Sequence, residues 1–279
     1  MSGRLVPIRA ASISGLRIRV FGNLEIFNGD SWRRISSRRM RLLLASLLIG
    51  YPQPIAVERL VDDIWADAPP RRPQRVLSTY VSRIRGLLDG TEAAVDFHGG
   101  GYQLLVGPRR VDMHIFEEQT RQAATAFEEG DTREALQSVT TALSLWQGVP
   151  FADVTPFAPA QLVADHLMEI RLNALEIKVQ SVMLESVATS NFHAVGALVA
   201  ELRQVLAQVP FRERIWALLI QALYLSGRPA EAVQAYIQCR TILLEELGLD
   251  PGPELRSLYQ DILTDSFNVE TLFRRPLRA

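Results

Sequence analysis

The stretch Arg71–Leu88, RRPQRVLSTYVSRIRGLL, does most to narrow what this chain of 279 residues can fold into. Wound as a helix at about 100° per residue, it separates into two faces. Leu77, Tyr80, Val81, Ile84 and Leu88 fall on one. Arg71, Arg72, Arg75, Thr79, Ser82 and Arg83 fall on the other, where Gly86 adds no bulk. The first face requires a core to dock on. The second is cationic, hydrogen-bonding and smooth, as a DNA-reading helix requires: arginines for phosphates or guanine edges, short hydroxyls for close approach. An ordinary solvated amphipathic helix has the same character, so the neighbours decide.

Before this stretch, LRIRVFG (Leu16–Gly22) and LEIF (Leu24–Phe27) alternate apolar and polar residues around a Gly22-Asn23 turn. After the Asn28-Gly29-Asp30 turn, SWRRIS (Ser31–Ser36) is a third short strand, which makes a small antiparallel meander. Ser36 or Ser37 can cap a helix with an apolar stripe of Met40, Leu43, Leu44, Leu47 and Leu48, ending near Gly50. Pro52 and Pro54 break the chain. Val57, Leu60, Val61, Ile64 and Trp65 then recur with helical spacing, and Pro69-Pro70 end that helix. After Leu88, AAVDF (Ala93–Phe97) and YQLLV (Tyr102–Val106) flank His98-Gly99-Gly100-Gly101 and read as a hairpin. No helix opens from that glycine turn and no Gly-Lys-Ser/Thr follows, which argues against a nucleotide loop.

The order is meander, three helices, hairpin: a winged helix-turn-helix with an N-terminal sheet. It resembles the DNA-binding domain of OmpR-type response regulators. RRPQRVLSTYVSRIRGLLD resembles their recognition helix, and FHGGGYQLLV their wing. The family's wing commonly reads Arg-Gly-x-Gly-Tyr-Arg. Here His98-Gly99-Gly100-Gly101-Tyr102-Gln103 keeps Gly-x-Gly-Tyr and replaces both arginines. A histidine carries far less positive charge at pH 7 than an arginine, so the helix should carry more of the electrostatics. The resemblance places the third helix in the major groove. Arg75, Thr79 and Arg83 are then expected at base edges or adjacent phosphates, with Ser82 beside them. Arg71 and Arg72 are expected on phosphate at the helix N-terminus, and His98, Gly99 and Tyr102 on the wing side. Arg38, Arg39 and Arg41 fit either a second phosphate contact or plain surface positions.

From Val111 onward the strand pattern stops. Helices are expected over 113–127 with Asp112 as cap, 132–146, 160–188, 191–208, 212–225, 230–247 and 254–263, with the three-proline loop GVPFADVTPFAP (Gly148–Pro159) between the second and third. EEGDTREAL (Glu128–Leu136), ATSNFHAVG (Ala188–Gly196) and LSGRPAEAV (Leu225–Val233) each place a turn before a helix. The spacing Ser190 to Gly227 is 37 residues, close to the tetratricopeptide period of about 34. Most aromatics and alanines here, such as Trp216, Ala222, Ala232, Ala235 and Tyr236, are expected in the core. The fold class is therefore an α+β winged helix-turn-helix followed by an all-α tetratricopeptide-like repeat region. The expected divisions are a lead-in 1–15, a winged helix 16–110, a helical domain 111–265 and a tail 266–279.

Charge follows that division. Residues 1–110 hold 17 Arg and 9 Asp+Glu, a net +8, and residues 111–279 hold 13 Lys+Arg and 22 Asp+Glu, a net −9. A basic half suits a polyanion, and an acidic half suits a different partner.

The join carries a second resemblance, over residues 16–265. Its markers are Val111-Asp112 with Phe116, Leu145-Trp146-x-Gly148 with Pro150-Phe151-Ala152-Asp153, and Glu246-Leu247-Gly248-Leu249-Asp250-Pro251-Gly252-Pro253-Glu254-Leu255. The chain is similar to the Streptomyces antibiotic regulatory protein (SARP) family, which couples an OmpR-type winged helix to a bacterial transcriptional activation domain. The resemblance implies an activator that binds direct repeats near promoters as a homodimer or side-by-side pair. It also implies recruitment of RNA polymerase holoenzyme and control of secondary-metabolite (antibiotic) genes. The changed wing motivates an alternative from another class: a protein-interaction adaptor that uses the helical domain, with weak or lost DNA binding.

Four histidines lack metal-ligand spacing, the lone Cys239 sits in helix-like sequence, and no serine elbow or phosphate loop occurs. No enzyme activity, metal or cofactor is expected. With no long apolar run and no signal-peptide pattern, a cytoplasmic, nucleoid-associated protein without membrane contact is expected. No receiver domain is legible ahead of the winged helix, so phosphoryl control through an aspartate is not indicated.

Overall fold

A computed structural model describes residues 18–27 and 29–266 of the chain. The expected lead-in 1–15 and all but the first residue of the expected tail 266–279 lie outside them. Three short strands, β1 (Ile18–Arg19), β2 (Glu25–Phe27) and β3 (Trp32–Arg34), pair antiparallel in that order. Ile18 faces Ile26 and Phe27 faces Trp32 across the ladders. Helices α1 (Arg38–Gly50), α2 (Val57–Trp65) and α3 (Pro73–Leu88) follow. Strands β5 (Ala94–His98) and β6 (Gly101–Leu105) then form the hairpin.

The second sheet has a third strand that the sequence did not announce. Ile55–Ala56, here β4, pairs with Tyr102 and Gly101, giving the order β4-β6-β5. Two residues are too short to leave an alternating pattern, and the flanking prolines masked the segment. Gly101 records the pairing: a Cβ there would lie 2.2 Å from the Ile55 carbonyl oxygen, so no side chain fits. The cap of α1 also differs from expectation. Ser37 holds the cap position, but its side chain makes no cap hydrogen bond.

Seven α-helices follow among the described residues: α4 (Asp112–Glu128), α5 (Thr132–Ser144), α6 (Ala158–Thr189), α7 (His193–Leu206), α8 (Glu213–Leu225), α9 (Pro229–Leu247) and α10 (Pro253–Leu263). The turns are specified locally. Gly130 is left-handed at φ 84° and Asp131 accepts the Glu134 N–H, stopping α4 and starting α5. Gly248 is left-handed at φ 70° and the Leu249 N–H returns to the Leu243 carbonyl, which closes α9.

By packing, the chain forms two compact units. One comprises the described residues through Arg121 together with Thr140–Leu172; the other comprises Gln122–Val139 and the described residues from Asn173 onward. In the first, a continuous core joins Ile18, Val20, Phe21, Leu43, Leu47, Leu60, Leu77 and Ile84 to Val111, Phe116, Leu145, Phe151 and Leu167. Phe21 packs edge-on to Phe116 at 5.2 Å and lies 4.5 Å from the Trp146 ring. In the second, α8 packs against both α7 and α9, and α10 closes on α8 and α9. Trp216, Ala222, Ala232, Ala235, Tyr236 and Cys239 are buried there, as small-and-large helix pairing requires. Burial pushes the Cys239 thiol up to about 12, which keeps it protonated.

Candidate nucleic-acid interface

Helix α3 begins at Pro73, two residues later than the helix expected from Arg71. Proline suits that first position because its missing N–H would have no helical partner. Arg72 therefore sits at the cap and Arg71 before it. No side chain caps this end and no acid lies in the first turn, so the helix N-terminus keeps its positive character.

The two-faced reading of α3 is realised in its burial. Leu77, Val81, Ile84 and Leu88 are at most 1% exposed, while Arg71, Arg72, Arg75, Thr79, Ser82, Arg83 and Gly86 are all exposed. Tyr80 is half-buried and stacks on Trp65 of α2, with ring centroids 6.0 Å apart. The Thr79 hydroxyl donates to the Arg75 carbonyl at 3.1 Å, which fixes its rotamer and leaves its oxygen lone pairs outward. On the wing side, Arg85 Nε donates to the Val95 carbonyl at 2.8 Å, fastening α3 to β5.

The wing turns through Gly99 and Gly100, at φ 58° and 81°. Two left-handed residues form the tight turn that matches strand twist, and glycine adopts them without strain. His98 and Gly99 are exposed; Tyr102 is half-buried. Gln103, which stands where the resembled family has an arginine, donates its amide to the Pro52 carbonyl at 2.5 Å. It braces the wing sheet against the segment leading into β4.

The arginines that open α1 divide in role. The Arg41 Nη1 donates to the Ile35 and Ser36 carbonyls, while its Nε donates to the Asp153 carbonyl and pairs with the Asp153 carboxylate at 3.2 Å. It holds the structure together and is not available as a phosphate contact. Arg38 reaches the Pro156 carbonyl at 3.4 Å. Arg38 and Arg39 are exposed.

Residues of the join clamp the N-terminal sheet of the same unit. The Asp112 carboxylate accepts the Val20, Phe21 and Met113 N–H groups at 2.9–3.1 Å. The proline loop adds to the same strand end: Phe151 N–H donates to Val20, Ala152 N–H to Gly22, and Gly22 N–H to Val149. Asp153 accepts the Leu24 N–H at 3.0 Å. Sequence reasoning identified Asp112, Trp146 and Phe151-Ala152-Asp153 as markers without seeing that they clamp the N-terminal sheet.

The matching families and relatives agree with this architecture. Residues 111–263 match the bacterial transcriptional activator domain model. Regulatory protein AfsR of Streptomyces griseus is 33% identical over 258 residues, covering 92% of this chain and 25% of AfsR. Transcriptional regulator RedD of Streptomyces coelicolor is 30% identical over 254 residues, covering 89% of this chain and 70% of RedD. The solved structure of Mycobacterium tuberculosis EmbR in complex with a low affinity phosphopeptide superposes with a TM-score of 0.84 at 27% identity, covering 93% of this chain and 68% of that one. The chain thus spans about a quarter of AfsR, 70% of RedD and 57% of full-length EmbR. These relatives are named as regulators, not enzymes. With a winged helix-turn-helix ahead of a domain that matches over 111–263, the chain belongs to the SARP-type family that carries the bacterial transcriptional activator domain.

Proposed function

We propose that this chain binds double-stranded promoter DNA at direct repeats, as a homodimer or side-by-side pair, and recruits RNA polymerase holoenzyme to secondary-metabolite genes. The observation that carries the reading is the outer face of α3: Arg75, Thr79, Ser82 and Arg83 are exposed along two turns of a helix whose opposite face is core. Arg75, Thr79 and Arg83 read base edges or the adjacent phosphates, and Ser82 permits close approach. Arg71 and Arg72 hold phosphate at the helix N-terminus, where charge and orphan N–H groups act together. His98, Gly99 and Tyr102 flank the duplex from the wing. The work divides near residue 110, DNA contact before it and polymerase contact over 111–265, although packing divides the chain elsewhere.

The test is footprinting and equilibrium binding of the intact protein on promoters beside its own gene, over a range of salt. Four arginine–phosphate contacts per site give a slope of log K against log salt of about −3 to −4. Affinity independent of both salt and sequence overturns the reading. A promoter–reporter assay then separates activation from occlusion, since occupancy without recruitment lowers expression.

A further inference from the structure

We propose that Phe97 is a DNA contact of the wing and that it acts by apolar packing against deoxyribose at the flank of the site, not by charge. The inference rests on the reading of the chain as a DNA-binding activator.

Strand register places Val95 opposite Leu104 and Phe97 opposite Tyr102, so all four share one face of the hairpin. Val95 and Leu104 are buried at 3% and 0%, whereas Phe97 is 54% exposed. The core-facing side of the sheet outruns its core at Phe97. The ring packs edge-on to Tyr102, centroids 5.2 Å apart, which orients it on the strand. Arg85 of α3 binds the Val95 carbonyl, two residues before Phe97 on the same strand. The exposed ring therefore continues from the element that fastens the wing to the proposed reading helix.

Beyond the ring the wing carries the exposed His98 and then glycine. A Cβ at Gly99 or Gly100 would meet nothing within 4 Å, so the turn itself presents backbone and allows a close approach. The hairpin Ala94–Leu105 contains no lysine or arginine, and its one acid is Asp96. Asp96 pairs with Gln103 on the opposite face of the strands, and its Oδ1 accepts the Phe97 N–H at 2.8 Å. This hairpin has little to offer a phosphate. Its face beside α3 offers an oriented aromatic ring, and the apolar surface a duplex presents to a wing is its row of sugars. Such a contact releases no counterion and leaves the salt dependence to α3.

Fluorescence anisotropy of the intact protein on duplexes carrying one repeat and two repeats, each titrated with salt, tests this. Thermal melting confirms that each variant folds. Phe97→Ala is expected to bind the one-repeat duplex about tenfold more weakly with an unchanged salt slope, and Phe97→Leu to keep most of the affinity. Arg71→Ala, as the electrostatic control, reduces the slope by about 1. Wild-type affinity of Phe97→Ala on one repeat overturns the proposal. So does a loss seen only on two repeats, which would place the ring against a neighbouring copy, or a loss accompanied by a changed slope. Failure of the wild-type protein to bind any promoter duplex instead overturns the DNA-binding reading, and this inference falls with it.

Discussion

Asp112 shows how much a single carboxylate does here. In sequence it is a helix cap; in the fold it is 1% exposed and receives three backbone N–H groups, two of them from residues over ninety positions earlier. Burial pushes its pKa up to about 7, against the pull of those N–H donors and of Arg19. The native state therefore holds this proton more tightly than the unfolded chain, whose carboxyl titrates near the ordinary 3.8. The contribution is complete below that value and is lost as pH rises through about 7. Glu176, buried beside Arg214, is raised to about 7 as well, so a variant comparison is needed to isolate one group. Asp112→Asn cannot titrate: its melting temperature should fall less than that of the wild type between pH 5 and pH 8. At pH 5, where the wild-type group is the neutral acid, it should already be lower, because the acid keeps two oxygens that can accept while the amide keeps one and turns an NH2 toward the donors, at about 1–3 kcal/mol per orphaned N–H. Parallel pH curves for the two proteins would contradict this.

At the scale of the element, α3 works because its two faces are independent. Leu77→Ala, at a position with 0% exposure, should cost about 2–5 kcal/mol of stability and disturb binding only through folding. Arg75→Ala should leave the melting temperature unchanged and lower affinity for the cognate repeat by about 1–3 kcal/mol, relaxing specificity at one base position. Binding selections on randomised repeats show whether that loss is confined to one position. The wing depends on a different kind of position. Gly101 is fixed by the Ile55 backbone lying where a Cβ would go, so Gly101→Ala should open the β4–β6 pairing. Faster amide exchange at Ile55 and Tyr102 reports that opening.

For the whole molecule, units of packing and units of labour differ. The change of pattern and charge near residue 110 suggests a winged helix that ends there. Yet Val111, Asp112, Phe116, Trp146, Phe151 and Asp153 all lie in the unit that contains the sheets and the three helices, and helices α4 to α6 contribute residues to both units. A fragment 1–110 would lack the acceptor for the Val20 and Phe21 N–H groups and the rings that cover Phe21. It should melt without cooperativity and bind an apolar dye, where the intact chain does not. A sharp, dye-free transition of the fragment would show that 111–121 and 140–172 are dispensable for folding.

Local pattern was enough to make most of the fold legible. The faces of α3, the left-handed turns at Gly130, Gly227 and Gly248, and the alternation in 94–105 are short-range features, and each element obeys them. The exposure of Arg75, Thr79, Ser82, Arg83 and Gly86 followed from the same helical period. Other features needed the chain's long-range pairings. β4 is two residues long and exists only because β6 lies beside it. Arg41 shares the sequence pattern of the exposed Arg38 and Arg39 and is set apart only by its pairing with Asp153. Phe97 alternates into a core face that stops one pair short of it. Apart from β4, the sequence by itself determined which segments are helix, strand and turn, because those choices depend on residues within a few positions of one another. Only the tertiary structure decided which polar groups are spent on the frame and which remain to meet a partner. That depends on backbone brought together from more than a hundred residues away, as Asp153 is to Leu24.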